Sequence, residues 1–234
     1  MDDNKRNIED GTVYWNEYGE RMYPDYMKEA QTAYQTTGDP ALGRFLAKKQ
    51  GEYTIEDYYA LPEECRVELI DGVIYNMAAP SGKHQDLGGY IHAQFLYYIL
   101  RNKGKCLARM APSDVQLDRD SKTMVQPDVY IGCEKDKFKN RVYYGAPDLV
   151  IEVLSPSSRK KDREIKYRKY KNAGVREYWV VDPEAERVTV HDFEHGGTTR
   201  IYTFEDRVPV GIWDGKCQVD FAEALEMTRF LLEE

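Results

Sequence analysis

The segment Asp148-Leu149-Val150-Ile151-Glu152-Val153-Leu154 constrains the fold most, because it is apolar on both faces of an extended strand. A strand of that pattern belongs in the middle of a sheet with protein on either side. Glu152 stands inside it. A carboxylate there loses several kcal/mol of hydration unless a positive or hydrogen-bonding group compensates. The segment that follows supplies candidates: a basic helix is expected over 160–173, with Gly174 just past its end. Glu177-Tyr178-Trp179-Val180-Val181-Asp182 then reads as a second buried strand. Strand, basic helix and strand fit one right-handed βαβ crossover.

Upstream, Thr54-Ile55-Glu56-Asp57 opens a short helix ending near Pro62 with a near capping box. Asp71-Gly72 between Arg66–Ile70 and Val73–Tyr75 is a strong hairpin signal. Ser81 caps a long helix over 83–102, whose apolar stripe includes Leu87, Ile91, Phe95 and Ile99. Strands are expected near 106–110, 114–117 and 128–132, a hairpin over 187–193 and 198–204, and a terminal helix over 221–232. The fold class is α/β (α+β), a mixed sheet flanked by helices. Residues 1–52, acidic and rich in Tyr, read as an N-terminal arm with short helices at 25–35 and 40–49.

The 234 residues, 41% of them hydrophobic and 19 of them Tyr, suffice for one sizeable core plus an extension. Without a membrane-length apolar run or a secretory signal, the expectation is a soluble cytoplasmic protein with no membrane partner. Cys65, Cys106, Cys133 and Cys217 show no metal-ligand or redox spacing and are expected as separate thiols. The net charge of −8 conceals a polarity. Residues 1–64 hold 14 acids against 7 bases, whereas 159–176 hold 9 bases against Asp162 and Glu164. Lys135, Lys137, Lys139 and Arg141 add a second basic stretch that would hold flanking phosphates.

Asp128, opening Val129-Tyr130-Ile131 after Pro127, is the second acid placed where a sheet strand ends. At roughly 100° per residue, Lys166 lies mid-face with Asp162, Tyr170 and Ala173, poised to set an ammonium over the strand of Glu152. Glu68, between Val67 and Leu69, is a further candidate acid. Two carboxylates, an ammonium and a basic surface suit Mg²⁺-assisted phosphodiester hydrolysis, since Mg²⁺ takes few carboxylate oxygens and keeps waters. His84, at a helix start that favours anions, is a candidate phosphate contact, with Arg159, Lys160 and Lys161.

These residues resemble the Uma-two family of restriction-endonuclease-like proteins. The likeness runs over about 53–195: Glu68-Leu69-Ile70-Asp71-Gly72, Pro80-Ser81-Gly82-Lys83-His84, Pro127-Asp128, Pro147 to Ser157, Asp162, Lys166, Tyr170, and Glu177 to Pro183. The resemblance implies a PD-(D/E)XK nuclease fold over 53–234, a Mg²⁺ site that Mn²⁺ also fills, DNA as partner, a homodimer, and no organic cofactor. It assigns Asp128 and Glu152 to the metal, and Glu68 and Lys166 to catalysis. Leu154 stands where the superfamily motif has Lys. The resemblance suggests that Lys166 supplies the displaced ammonium. A catalytically inactive nucleic-acid-binding or scaffold protein remains the alternative.

Two motifs are decoys. His191-Asp192-Phe193-Glu194-His195 spells an inverted zinc-protease motif, but on a strand its histidines stand roughly 13 Å apart. Ser157-Ser158-Arg159-Lys160 lacks the companion motifs of penicillin-binding enzymes. Asp148 rivals Asp128 in text, yet on one strand it is roughly 13 Å from Glu152.

Overall fold

A computed structural model describes residues 14–15, 21–22, 48–62, 64–117 and 121–229. The chain divides into two compact units, Met1–Met77 and Ala78–Glu234. The helices expected at 25–35 and 40–49 fall outside the described residues, apart from Lys48 and Lys49, which are not helical.

In the first unit, β1 (Tyr14–Trp15) pairs antiparallel with β2 (Arg21–Met22). Helix α1 (Ile55–Ala60) starts at Thr54, whose N–H donates to the Asp57 carboxylate at 2.9 Å. The hairpin of β3 (Val67–Ile70) and β4 (Val73–Asn76) turns through Asp71 at φ 51° and Gly72 at φ 75°. Positive φ at both central residues matches the right-handed twist of the strands. Gly72 is required for a second reason: a Cβ there would lie 2.5 Å from the Gly51 carbonyl oxygen. The family resemblance had this hairpin within one domain beginning at residue 53, whereas it clusters here with the first unit.

The second unit is built on a six-stranded mixed sheet in the order β13-β12-β11-β10-β7-β5. Its strands are β5 (Leu107–Met110), β7 (Val129–Gly132), β10 (Leu149–Val153), β11 (Glu177–Asp182), β12 (Arg187–Asp192) and β13 (Thr198–Thr203). β10 and β11 run parallel, joined through the basic segment, and the other neighbours are antiparallel. Every residue of β10 and β11 is buried, as the apolar runs require. Helix α2 (Gly82–Arg101) covers one face, where its Leu87, Ile91 and Phe95 join Leu149, Ile151, Val153, Trp179 and Val181 in the core. Phe221 and Ala224 of α4 (Phe221–Arg229) complete that side.

Alternation sends Val150 and Glu152 to the opposite face. That face meets the basic segment, with the Tyr170 ring 5.1 Å from that of Tyr178. The segment is not one continuous α-helix as expected. Lys161–Lys166 form a π-helical turn, and only Tyr167–Ala173 (α3) are α-helical, closed by Gly174 at φ 93°. Of the strands in two further small sheets, the sequence reading anticipated only the one near 114–117. One joins β6 (Asp114–Gln116), β9 (Val142–Tyr144) and β8 (Phe138–Lys139); the other pairs β14 (Arg207–Pro209) with β15 (Gln218–Asp220).

The cysteine expectation is corrected. Cys106 and Cys133 form a disulfide, while Cys65 and Cys217 are free thiols. Their 27-residue separation concealed the pair, because Leu107 and Gly132 are cross-strand partners and the next positions outward are these cysteines. Titration of the unfolded, unreduced chain with a thiol reagent should therefore find two reactive groups, rising to four after reduction. Four before reduction would disprove the bridge.

Candidate active site

The register of the central strands creates the site. Leu149 pairs with Ile131, Val150 with Tyr130 and Ile151 with Val129. The paired register ends at Ile151–Val129, and Asp128 stands one residue beyond it, at the same end of the sheet as Glu152. Asp128 Oδ2 accepts from the Val153 N–H at 2.7 Å, tying the two strand ends together. His84 Nε2 lies 3.1 Å from the same oxygen. Oδ1 of Asp128 makes no hydrogen bond among the described residues.

Glu152 is 3% exposed, and its Oε1 receives two donors. Lys166 Nζ donates at 2.9 Å and Tyr170 OH at 2.6 Å. Lys166 Nζ also lies 3.6 Å from Asp162 Oδ1. All four side chains are buried. Tyr178 OH donates to the main-chain oxygen of Asp162 at 2.9 Å, anchoring the π-helical turn to β11. Burial drives the Tyr178 hydroxyl pKa well above its ordinary value, and the negative charges of Asp162 and Glu152 add to the shift, so it stays a donor.

The π-helical turn aligns these groups. In an α-helix, residues four apart overshoot alignment by roughly 40°, so Asp162, Lys166 and Tyr170 would fan out by roughly 80°. A turn closed by i→i+5 bonds holds more residues and rotates each through less. The wide turn followed by an α-turn offsets the drift, and all three side chains are buried.

His84 stands at the start of α2, where Ser81 caps the helix by accepting the His84 N–H at 3.3 Å. Burial alone would lower the imidazole pKa. The hydrogen bond and charge of Asp128 outweigh it, and the net shift is upward.

Of the residues expected from sequence, His84 lies against Asp128 and Lys166 against Glu152, and the Val153 N–H joins Asp128 to the strand that carries Glu152. Glu68 lies in the first unit, buried in β3 across from Tyr75. Arg159 binds Asp182 through both guanidinium nitrogens and Glu184 at 2.6 Å. Arg163 adds a contact to Asp182 at 2.8 Å. Burial raises the Asp182 pKa, but Arg159 and the Ala185 N–H outweigh it and hold the carboxyl below its usual range. Asp182 is therefore a structural anchor for the turn after β11. Lys160 is exposed and Lys161 half-buried, directly before Asp162 in the chain. The stretch 135–141 follows the other end of β7 from Asp128, roughly 13 Å along the strand. There Lys137 pairs with Glu134 and lines a cavity of about 690 Å³ with Asp148 and Arg176. Asp148 holds Arg176 at 3.0 Å and the Cys133 N–H at 2.8 Å, which removes it as a rival to Asp128. His191 sits on β12 with its pKa lowered to about 4 by burial, and His195 pairs with Asp192, so the protease spelling is a decoy. Asp162 and Tyr170 belong to the cluster although neither stood among the expected site residues. The helical spacing had already set both on the face of Lys166, without marking either as a site residue.

The donor chemistry fits Mg²⁺. Among the described residues, no three His, Cys, Asp or Glu side chains gather into a ready-made cage. Mg²⁺ does not need one, because it binds through one or two carboxylates and keeps several waters. One or two is the number of carboxylates that Asp128 and Glu152 offer here.

A six-stranded mixed sheet carrying paired acids at its strand ends, with helices on both faces, defines a restriction-endonuclease-like nuclease fold. The chain belongs to the Uma2 family, described as "Putative restriction endonuclease", whose pattern matches residues 55–211. Uncharacterized protein slr1290 of Synechocystis sp. is 27% identical over 154 residues, covering 64% of this chain and 79% of the relative. The crystal structure of a "putative nuclease belonging to DUF820" from Anabaena variabilis superposes with a TM-score of 0.61 at 19% identity. It covers 74% of this chain and 97% of that one, a likeness of fold.

The His84–Asp128 contact gives a signed pH prediction. With a folded pKa above the unfolded value of about 6.5, the contact stabilises fully below that value. The contribution is lost as pH rises through the folded pKa. The stability advantage of wild type over His84→Gln should thus shrink from acid to alkaline pH. In Asp128→Asn, with burial opposed only by the Val153 main chain and the charge of Asp162, the ring should titrate below its wild-type value when followed by NMR. A wild-type midpoint below 6.5 would contradict the assignment.

Proposed function

We propose that this protein is a metal-dependent endonuclease that hydrolyses DNA phosphodiester bonds. The observation that carries the reading is the Lys166 ammonium 2.9 Å from the buried Glu152, with Asp128 bonded to the main chain of the next residue, Val153. Family membership and the fold of the Anabaena protein support it. Asp128 and Glu152 hold Mg²⁺, which when bound lowers the pKa of water and draws charge from phosphoryl oxygens. Lys166, delivered from the helix in place of the motif lysine absent at Leu154, orients the attacking water and stabilises charge developing on the phosphate. Tyr170 fixes the Glu152 carboxylate through its 2.6 Å bond. His84, beside Asp128 at the start of α2, faces a phosphate oxygen. Lys160 and Lys161 contact the flanking backbone, so binding weakens as salt rises.

Nicking of supercoiled plasmid with Mg²⁺ or Mn²⁺ tests the roles. Single replacements Glu152→Ala, Asp128→Ala and Lys166→Ala should each lower the rate by at least about 100-fold. Cleavage undiminished in Glu152→Ala would exclude this site.

Leu154 at the position of the motif lysine, together with the net charge of −8, favours a second reading: a nuclease fold that binds nucleic acid without turnover. Calorimetry with Mn²⁺ separates the two. Metal binding by wild type that is lost in Asp128→Ala supports the enzyme, and its absence supports the binding protein.

A further inference from the structure

Among the described residues, Lys166 lies against two carboxylates where one would neutralise it. Glu152 accepts its hydrogen bond at 2.9 Å, and Asp162 Oδ1 waits at 3.6 Å. Asp162 is 2% exposed, so its charge carries a desolvation cost that the Lys166–Glu152 pair alone would avoid. The fold also spends structure on keeping it there. The π-helical turn aligns it with Lys166, and Tyr178 pins its main chain.

We propose that Asp162 is a positioning residue that takes over the Lys166 ammonium when Glu152 turns to a metal ion. The inference rests on the metal-dependent reading above and assigns a role to a residue outside the metal-binding pair. Glu152 cannot give the same oxygen fully to both an ammonium and a divalent cation. With Asp162 as second acceptor, Lys166 leaves Glu152 by a small swing without exposing its charge to an apolar core. Without Asp162, the lysine keeps a firmer hold on Glu152 and competes more strongly with the metal for it.

Competition gives a test that does not depend on turnover. Calorimetric titration with Mn²⁺ should show Asp162→Asn weakened about tenfold, the equivalent of one charge-assisted hydrogen bond set against the ion. Adding Lys166→Met to Asp162→Asn removes the competitor, and affinity should return to within about threefold of wild type. A role in folding alone would give no such recovery, since the second replacement deletes further buried contacts. Equal Mn²⁺ affinity in wild type and Asp162→Asn, or no recovery in the double variant, overturns the proposal. A wild type that binds no Mn²⁺ instead defeats the metal reading itself and this inference with it. Should Asp162→Asn fail to fold, ¹⁵N spectra of the wild type decide the matter. The Lys166 ammonium should stay protected from exchange with water when Mg²⁺ is added, and its loss overturns the proposal.

Discussion

A carboxylate buried in a central strand is the constraint around which the second unit is arranged. Glu152 lies between apolar neighbours on β10, and two donors on the basic segment make its position tolerable. Removing one partner from such a pair leaves an uncompensated charge, which costs more than the pair itself contributes. The helix that crosses from β10 to β11 therefore has two duties. It closes the parallel connection, and it brings Lys166 and Tyr170 over the acid.

The period of two in the strands keeps these duties apart. Odd-numbered residues of β10 face α2 and the main apolar core, while even-numbered ones face the basic segment. Asp128 ends β7 beside Glu152, and His84 reaches it from the capped start of α2. Elements from both sides of the sheet thus meet at one end of the central strands. Along β10 itself, every residue but Glu152 is apolar.

Much of this was legible. Continuous apolarity exposed β10 and β11, Asp71-Gly72 exposed the hairpin, and the stripe from Leu87 to Ile99 exposed α2. Glu152 and Lys166 were conspicuous because each broke an apolar pattern. Other features left no such mark. A π-helical turn has the same residue types as an α-helix, so a fixed angle per residue found the right face for Asp162 and Lys166 without revealing how they are aligned. The Cys106–Cys133 bond depends on strand register, which spacing along the chain does not disclose. Arg159 looked like a phosphate ligand because its partners, Asp182 and Glu184, lie more than twenty residues away in sequence.

The sulfur bridge fastens the sheet's outermost strand to β7 at the end remote from Asp128. An unclasped border of four extended residues, carrying exposed Leu107 and Met110, is where foreign strands add on. Reducing surroundings would thus act on the protein's colloidal behaviour, by loosening that rim, ahead of any influence on the chemistry at the far end of the strand.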